Sequence, residues 1–360
     1  MGIARSHLSL ILAAAAVLCS CAGRTALPAE SPAAVKGSTG EGSSGATVAP
    51  APIVLNGGAP VSMDYLAYDA VRDRVWIPAG NTGNVDVYDV KVGRLVPIGG
   101  FDTNTVKGRD GKDRIVGPSS VSLGNGFAYI GNRAGFKVCA VRADTLVKSG
   151  CIALPSSPDG TAYIGTTQEV WVTTPRDHSI SILDVAKADE PKLAGRLELD
   201  GAEGYAVDTT RGLFYTNLEE SDRTVVIDVK TRKIVKTWKP NCGEAGPRGL
   251  ALDVERRHLF VACASGSVRT LDAANDGELL GDVMAGDGLD NIDYLPAQHL
   301  IYAAAGRAGT LAVIEDAASG ALKSVSTSPS VDGGRVVVVD SAGSAYIADS
   351  KGGRLVVVKP

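Results

Sequence analysis

Seven residues, six of them ionisable, occur at intervals along the chain, and together their side chains suit the binding of a polar ligand. Four are acids and two are arginines; the set is Asp64, Ser119, Asp159, Glu203, Arg248, Asp290 and Arg335. Arginine can hold a carboxylate or phosphate through two parallel hydrogen bonds, and charges around a concave opening concentrate the electric field on a ligand. Alternatively, the groups pair with one another along solvated walls. Both interpretations require a fold that brings seven distant segments together.

A repeat of short strands predicts such a fold. Seven segments carry an aromatic or large apolar residue at the centre of a strand, at Trp76, Tyr129, Trp171, Phe214, Phe260, Ile301 and Tyr346. These residues are 53, 42, 43, 46, 41 and 45 positions apart, and an alternating strand follows each of them. Short strands with this period are typical of four-stranded propeller blades. The sequence therefore predicts an all-β, seven-bladed β-propeller over residues 51–360.

The two ends of the repeat array are complementary. The last repeat stops at RLVVVKP after three strands, and APIVLNG at residues 51–57 can supply the fourth. Such a pairing closes the ring and removes two exposed strand edges. The first spacing is longer because FDTNTVKGRDGKDRIVGPSS is inserted between the first two repeats. We expect this insertion to be either a partner-binding loop or a flexible lid.

The aspartates that end the first strand of several repeats set the register of the charged residues. Aligning the repeats on Asp69, Asp208, Asp253 and Asp340 places the seven residues just before the innermost strands. Because the innermost strands of a propeller begin at one face and surround the axis, these residues should meet there. We predict a polar ring at the mouth of the central channel.

The amino-acid sequence of the repeats resembles that of a known family. GPRGLALDVERRHLFVACASGSVRTLDA, GYAVDTTRGLFYTNLEESDRTVVIDVKTRKIV and NTGNVDVYDVKVGRLV are similar to YVTN/YncE-like β-propeller repeats, and FYTN at residues 214–217 matches their signature. The resemblance implies the architecture and no particular activity, because members have varied roles and share no catalytic motif. Lactonase-like hydrolases share the seven-bladed architecture, which makes catalysis by carboxylates such as Asp64, Glu203 and Asp290 the alternative function. Arg248 and Arg335 in the same ring would repel a catalytic metal ion.

Four cysteines in the repeats predict two disulfides. Cys139 and Cys151 flank a turn symmetrically, and Cys242 and Cys263 lie at strand ends that meet at one rim of a hairpin. An even number of cysteines in an exported protein favours bridges over buried free thiols.

No catalytic residue and no metal site is predicted. His258 and His299 occupy matching hairpin turns, where we expect a structural role at the surface. Asp177 and His178 can form a general base, but no nucleophile motif such as Gly-x-Ser-x-Gly accompanies them. We expect no cofactor.

The N-terminus has the pattern of a bacterial lipoprotein signal. Arg5 and His7 precede the apolar run LSLILAAAAV, and LCSCAG follows it, with Cys21 as the residue to be lipidated. Residues 1–20 would be the signal peptide. Residues 21–50, which are rich in Ala, Gly, Ser and Pro, would be a flexible tether. This pattern predicts an exported protein of the cell envelope, held at a membrane only by its lipid, with Ala22 compatible with the outer membrane.

The charge balance excludes one class of partner. Lys and Arg number 36 against 40 for Asp and Glu, which gives a net charge of −4. Nucleic-acid binding needs a cationic surface, and aromatic residues for stacking make up only 5% of the chain. We therefore expect a monomeric, non-enzymatic binding or scaffolding module whose partner is an envelope protein or a small polar ligand.

Overall fold

Seven four-stranded antiparallel sheets make up the fold, as predicted. The computed structural model describes residues 51–108 and 110–359. The predicted signal peptide, lipidated Cys21 and tether lie outside these residues. No helix in the described ranges has the length and apolar character needed to cross a bilayer.

In six of the blades the four strands follow one another along the chain, the first beside the channel and the fourth at the outer edge. Blade 1 comprises β2 (Ala67–Asp69), β3 (Arg74–Ala79), β4 (Asn84–Asp89) and β5 (Arg94–Ile98). Blade 2 comprises β8 (Pro118–Gly124), β9 (Phe127–Asn132), β10 (Lys137–Arg142) and β11 (Lys148–Ala153). Blade 3 comprises β12 (Thr161–Ile164), β13 (Glu169–Thr174), β14 (Ser179–Asp184) and β15 (Lys192–Glu198).

Blades 4 to 6 repeat the same order. Blade 4 comprises β16 (Ala202–Asp208), β17 (Leu213–Leu218), β18 (Arg223–Asp228) and β19 (Lys233–Trp238). Blade 5 comprises β20 (Pro247–Asp253), β21 (His258–Cys263), β22 (Ser267–Asp272) and β23 (Glu278–Met284). Blade 6 comprises β24 (Leu289–Leu295), β25 (Leu300–Ala305), β26 (Thr310–Asp316) and β27 (Leu322–Pro329). Single 3₁₀ turns occur at Gly80–Thr82, Pro175–Asp177 and Gly243–Ala245.

Blade 7 joins the two ends of the ring. Its inner strands are β28 (Val337–Val339), β29 (Ala345–Asp349) and β30 (Arg354–Val358), and β1 (Ile53–Val54) is the outermost. Ile53 is opposite Leu355, and the amide of Leu55 continues the ladder by donating to Gly353 O at 2.9 Å. The predicted closure by an N-terminal strand is therefore confirmed.

The core lies between the blades. Seven apolar clusters each combine side chains from two neighbouring blades. All seven marker residues of the repeat are buried in second strands; for example, Trp76 of blade 1 packs on Val121 and Ile130 of blade 2. Each blade thus buries both faces against its neighbours, and this explains why its second strand is buried along nearly its whole length.

The aspartates used to align the repeats stabilise the first hairpin turn of their blades. Asp69 accepts the amide of Val71 at 3.1 Å, and Asp208 accepts the amide of Arg211 at 2.9 Å. These carboxylates occupy the position where the chain leaves its first strand, and a short acceptor there satisfies the turn amides. The repeat therefore keeps Asp for a structural reason.

The insertion between blades 1 and 2 is an ordered hairpin. Its strands are β6 (Asn104–Lys107) and β7 (Asp113–Val116), paired antiparallel from Asn104 opposite Val116 to Lys107 opposite Asp113. The last residues of the predicted insertion belong elsewhere, because β8 of blade 2 already begins at Pro118.

Both predicted disulfides are present. Cys139 and Cys151 are opposite each other on β10 and β11, with Cα atoms 4.0 Å apart. Cys242 and Cys263 connect the loop before β20 to the end of β21, with Cα atoms 5.2 Å apart.

We predict that the double variant Cys242→Ala/Cys263→Ala loses about 3 kcal/mol of unfolding free energy, because the bridge closes a loop of some twenty residues in the unfolded chain. Urea unfolding of the full chain measures this loss. Cys139→Ala/Cys151→Ala, with its shorter loop, should lose about the same amount. In dithiothreitol the differences from the wild type should vanish; a difference that persists in reductant would mean that packing, and not the bridge, is responsible.

Candidate functional site at the channel mouth

The structure places the seven predicted mouth residues at equivalent positions in the seven blades. Ser119, Glu203, Arg248 and Asp290 are each the second residue of a first strand, whereas Asp64, Asp159 and Arg335 come two or three residues before one. Contacts between first strands join the neighbouring segments: the Tyr65 amide donates to Ser119 O at 3.1 Å, and the Asn291 amide donates to Arg335 O at 3.2 Å.

Glycine permits the first strands of neighbouring blades to approach closely at two further points. A Cβ atom on Gly204 would collide with the backbone at Arg248, and one on Gly249 would collide with the backbone at Asp290. Each glycine directly follows a mouth residue of its own blade. The absence of side chains at these two positions lets the first strands of blades 4, 5 and 6 pack backbone against backbone, and this keeps the ring of mouth residues narrow.

An arginine outside the predicted set connects two of its carboxylates. Arg133 Nη2 lies 2.7 Å from Asp64 Oδ2 and also contacts Asp159 Oδ1. It follows directly after β9, the second strand of blade 2. The end of a second strand lies at the same rim as the start of the first, so the hairpin register is a sequence signal that could have identified this residue.

Tyr65, which the sequence pattern also did not identify, spans the channel from blade 1 to blade 4. Its hydroxyl lies 3.2 Å from Glu203 Oε1 and 3.4 Å from Asp159 Oδ2, so it can donate to either carboxyl group. Its ring stacks on that of Tyr205 with the centroids 5.7 Å apart. Tyr65 therefore couples residues on opposite sides of the mouth.

The remaining arginines of the ring are each occupied by an acid. Arg335 Nη1 lies 2.8 Å from Asp290 Oδ2, and Arg248 forms an ion pair with Glu219 of the neighbouring turn. Their guanidinium groups are thus neutralised before any ligand arrives, and this favours pairing within the ring over capture of an anion. Glu203 differs from these acids, because it forms no ion pair with any described residue.

Ser119 has a different environment from the charged members of the ring. It is buried, and its hydroxyl lies 3.4 Å from the carbonyl oxygens of Gly131 and Asp159. Its position supports the joining of blades 2 and 3.

Burial and crowding disfavour the negative form of the acids. Burial, together with the charges of Asp159, Asp290 and Asp64, raises the pKa of Glu203 to about 8. Burial also raises the pKa of Asp64 to about 6, against the opposing effect of Arg133. The pKa of Asp290 is raised by burial although Arg335 counteracts it. A cation entering the ring would favour the charged form of these groups and displace protons.

The carboxylates are not arranged as a metal site. Within the described ranges, no three acid, histidine or cysteine side chains are placed to hold one metal ion. Arginine side chains instead contact Asp64 and Asp290, two of the three carboxylates named for the alternative hydrolase, and Arg133 also contacts Asp159.

The histidines connect structural elements. His258 is buried, contrary to the surface position expected for it, because Asp316 of blade 6 covers it, with an oxygen 3.0 Å from Nδ1. His299 Nδ1 lies 3.3 Å from Asp253 Oδ2 of blade 5. At the exposed rim, His178 pairs with Asp200 at 3.0 Å and not with the adjacent Asp177.

Comparison with known proteins identifies the fold and no family. No family model and no curated protein matches the chain. A chain of the mitotic checkpoint complex is similar with a TM-score of 0.69 and 14% identity, over 92% of this chain and 98% of its own. The propeller domain of Cps50 (Swd1) from Myceliophteria thermophila gives 0.65 and 12%, over 85% and 99%. The WD40 repeats of RRP9 give 0.65 and 14%, over 83% and 91%.

These low identities establish the β-propeller and nothing finer. The similarity to YVTN/YncE-like repeats stays a prediction, as do the monomeric state and the envelope location.

We predict that Glu203→Gln stabilises the full chain near pH 9 by about 1 kcal/mol or more, the free energy of one pKa unit. The folded wild type retains a proton on Glu203 that the unfolded chain loses. Its stability therefore falls as pH rises from about 4.5, the ordinary pKa, through about 8. Near pH 4 both states are protonated, and the benefit of glutamine should disappear.

Denaturant unfolding at the two pH values measures the effect. Glu198→Gln is the matched control, because its side chain is 75% exposed on the outer strand of blade 3 and its replacement should change little at either pH. If Glu203→Gln gained no more near pH 9 than near pH 4, the proposed environment of Glu203 would be wrong.

Proposed function

We propose that this protein is a lipid-anchored binding module of the bacterial cell envelope, whose channel mouth holds a small polar ligand. The observation that carries the proposal is the ring of charged residues from all parts of the propeller, in which Glu203 lacks an ion-pair partner among the described residues. A concave, partly buried ring of this kind is a common form of ligand site.

The rigidity of the ring supports binding over catalysis. Arg133, Tyr65 and the backbone contacts hold the acids in place from several blades at once. Preorganised groups lose little conformational entropy when a ligand arrives. No nucleophile with an adjacent base accompanies them in the predicted ring, so binding needs fewer assumptions than hydrolysis.

The proposed location derives from the sequence. The apolar run at residues 8–17 and the following LCSCAG are the pattern that lipoprotein processing requires, and residues 21–50 have the composition of a flexible tether. We infer that the mature chain begins at Cys21 and that its propeller works outside the cytoplasm, where disulfides persist. The repeats are consistent with a YVTN/YncE-like member adapted to this location.

Cys21→Ala is expected to abolish lipid attachment and to move the full chain from the membrane to the soluble fraction, because the thiol that carries the lipid is lost. Labelled palmitate supplied to an expressing Gram-negative host measures this. Cys19→Ala, which alters the neighbouring cysteine, should leave both label and location intact. Retention of label in Cys21→Ala would refute the anchor.

A ligand of the mouth should raise the thermal midpoint of the full chain in detergent by several degrees, since saturation at a hundred times Kd adds roughly 2.7 kcal/mol. The panel contains organic ammonium ions, organic acids, sugar phosphates, lactones and cell-wall fragments. Glu203→Gln or Asp290→Asn should abolish the shift, and Glu198→Gln should not. A panel without effect on the wild type would contradict a small ligand and leave an envelope protein as the partner.

A further inference from the structure

A cavity of about 200 Å³ lies in the central channel. Its lining residues follow the mouth residues along the first strands: Leu66 follows Asp64 in blade 1, Leu250 follows Arg248 in blade 5, and Val337 follows Arg335 in blade 7. We call this cavity the channel chamber. At ~30 Å³ per water, it has room for roughly six or seven water molecules, or for a small organic molecule of that size.

The wall of the chamber is partly aliphatic and partly polar, because Asn291, Asp293 and two tyrosines line it together with aliphatic residues. Side chains such as Leu66, Leu250 and Ile292 provide apolar surface from three blades. An apolar wall of this kind gains from contact with alkyl groups and cannot solvate an isolated charge. The polar groups that interrupt the wall therefore determine which ligand fits.

A carboxylate without a cation partner lines the chamber. Asp293 accepts the amide of Tyr294 at 2.8 Å through Oδ1 and the amide of Val339 at 2.8 Å through Oδ2. In the parts of the chain that the structure describes, no cation lies within ion-pair distance of it. Burial raises the pKa of Asp293 to about 6, against the opposing effect of the two amides. The chamber thus contains a carboxyl group that no described cation accompanies.

Two aromatic rings complete the lining. Tyr65 and Tyr205 belong to the wall, and their rings lie at 19° to each other. The face of an aromatic ring attracts cations. The ring of Tyr205 stacks on Phe214 as well as on Tyr65, so Tyr65 is the ring with a face left to offer a ligand. The aliphatic part of the wall, this ring and a carboxyl group without a cation partner favour the same class of ligand.

The charges at the mouth favour that class as well. Five carboxyl groups there, those of Asp64, Asp159, Glu203, Glu219 and Asp290, face the three guanidinium groups of Arg133, Arg248 and Arg335. Each guanidinium is already paired with an acid. Carboxyl groups therefore outnumber guanidinium groups in the ring, and this balance favours the approach of cations over that of anions.

We propose that the channel chamber binds a small organic ammonium ion, with its charged nitrogen facing Asp293 and its alkyl groups against the aliphatic part of the wall. This inference rests on the proposed binding function and specifies its ligand class. It places the contact that determines affinity inside the channel, below the ring of mouth residues.

Choline is the first probe, because it is a small ammonium ion with three methyl groups. Two molecules of matched shape accompany it: dimethylbutanol, in which carbon replaces the nitrogen, and the dimethylbutyrate anion. Calorimetric titration of the full chain in detergent, at constant ionic strength, should detect choline binding at least roughly tenfold tighter than that of either analogue. Equal binding of dimethylbutanol would overturn the requirement for a cation.

Variants then locate the site. Asp293→Asn removes the charge, and Leu250→Phe fills the chamber without touching the charge; each should weaken choline binding roughly tenfold or more. Glu198→Gln, exposed on blade 3, should leave the affinity unchanged. Leu250→Phe decides the outcome if Asp293→Asn fails to fold, and thermal midpoints verify that each variant is folded.

The results separate this inference from the proposed function. If Glu203→Gln weakens choline binding as much as Asp293→Asn does, or if Leu250→Phe has no effect, the ligand binds at the mouth; the chamber site is then wrong and the proposed function stands. If choline fails to bind but another compound of the panel binds and depends on Glu203, the same conclusion holds. If nothing binds, both are wrong.

Discussion

The pairing of β1 with β30 is the constraint on which the rest of the structure depends. Two residues, Ile53 and Val54, complete blade 7 and join the beginning of the repeat array to its end. An open array would leave the faces of blades 1 and 7 exposed, whereas the closed ring buries the apolar cluster between them, with Val61, Ile77 and Leu355 among its members. Closure also keeps the seven first strands around one axis, so the ring of residues at the channel mouth depends on it.

Close packing of the first strands turns a general property of propellers into a particular site. Backbone contact at Gly204 and Gly249 brings the first strands of blades 4, 5 and 6 close together, with Glu203 and Arg248 directly before the two glycines. Most of the mouth residues are charged, and partial burial makes their charges costly. The protein compensates with arginines shared between blades and with Tyr65, which reaches from one side of the channel to the other. The same groups thereby hold the ring together.

The balance of free charge in the ring at the channel mouth differs from the balance that its residue types suggest. Four acids and two arginines in the predicted ring suggest a mixed site that suits anions as well as cations. In the structure Arg133 joins Asp64 and Asp159, Arg335 is held by Asp290, and Arg248 is held by Glu219 from outside the predicted set. The positive charge is therefore consumed within the ring, and carboxyl groups remain. A composition count cannot show this, because it contains no information on which partners meet.

The sequence by itself determined the seven-bladed propeller, the closing strand, both disulfides and the positions around the mouth. The blades and the mouth positions repeat, and a period of 41–46 residues after the first, longer spacing, together with strand alternation, suffices to place them relative to one another. The closing strand follows from the fourth strand that the last repeat lacks, and the disulfides follow from cysteines at strand positions that a hairpin brings together. Only the tertiary structure decided that Arg133 and Tyr65 enter the site, that His258 is buried beneath Asp316, and that Asp293 lines a chamber. These features occur once each, in single blades. The physical reason is that they depend on contacts across or between blades. Such contacts are determined by distances in space, and the spacing of residues in the sequence does not reveal them.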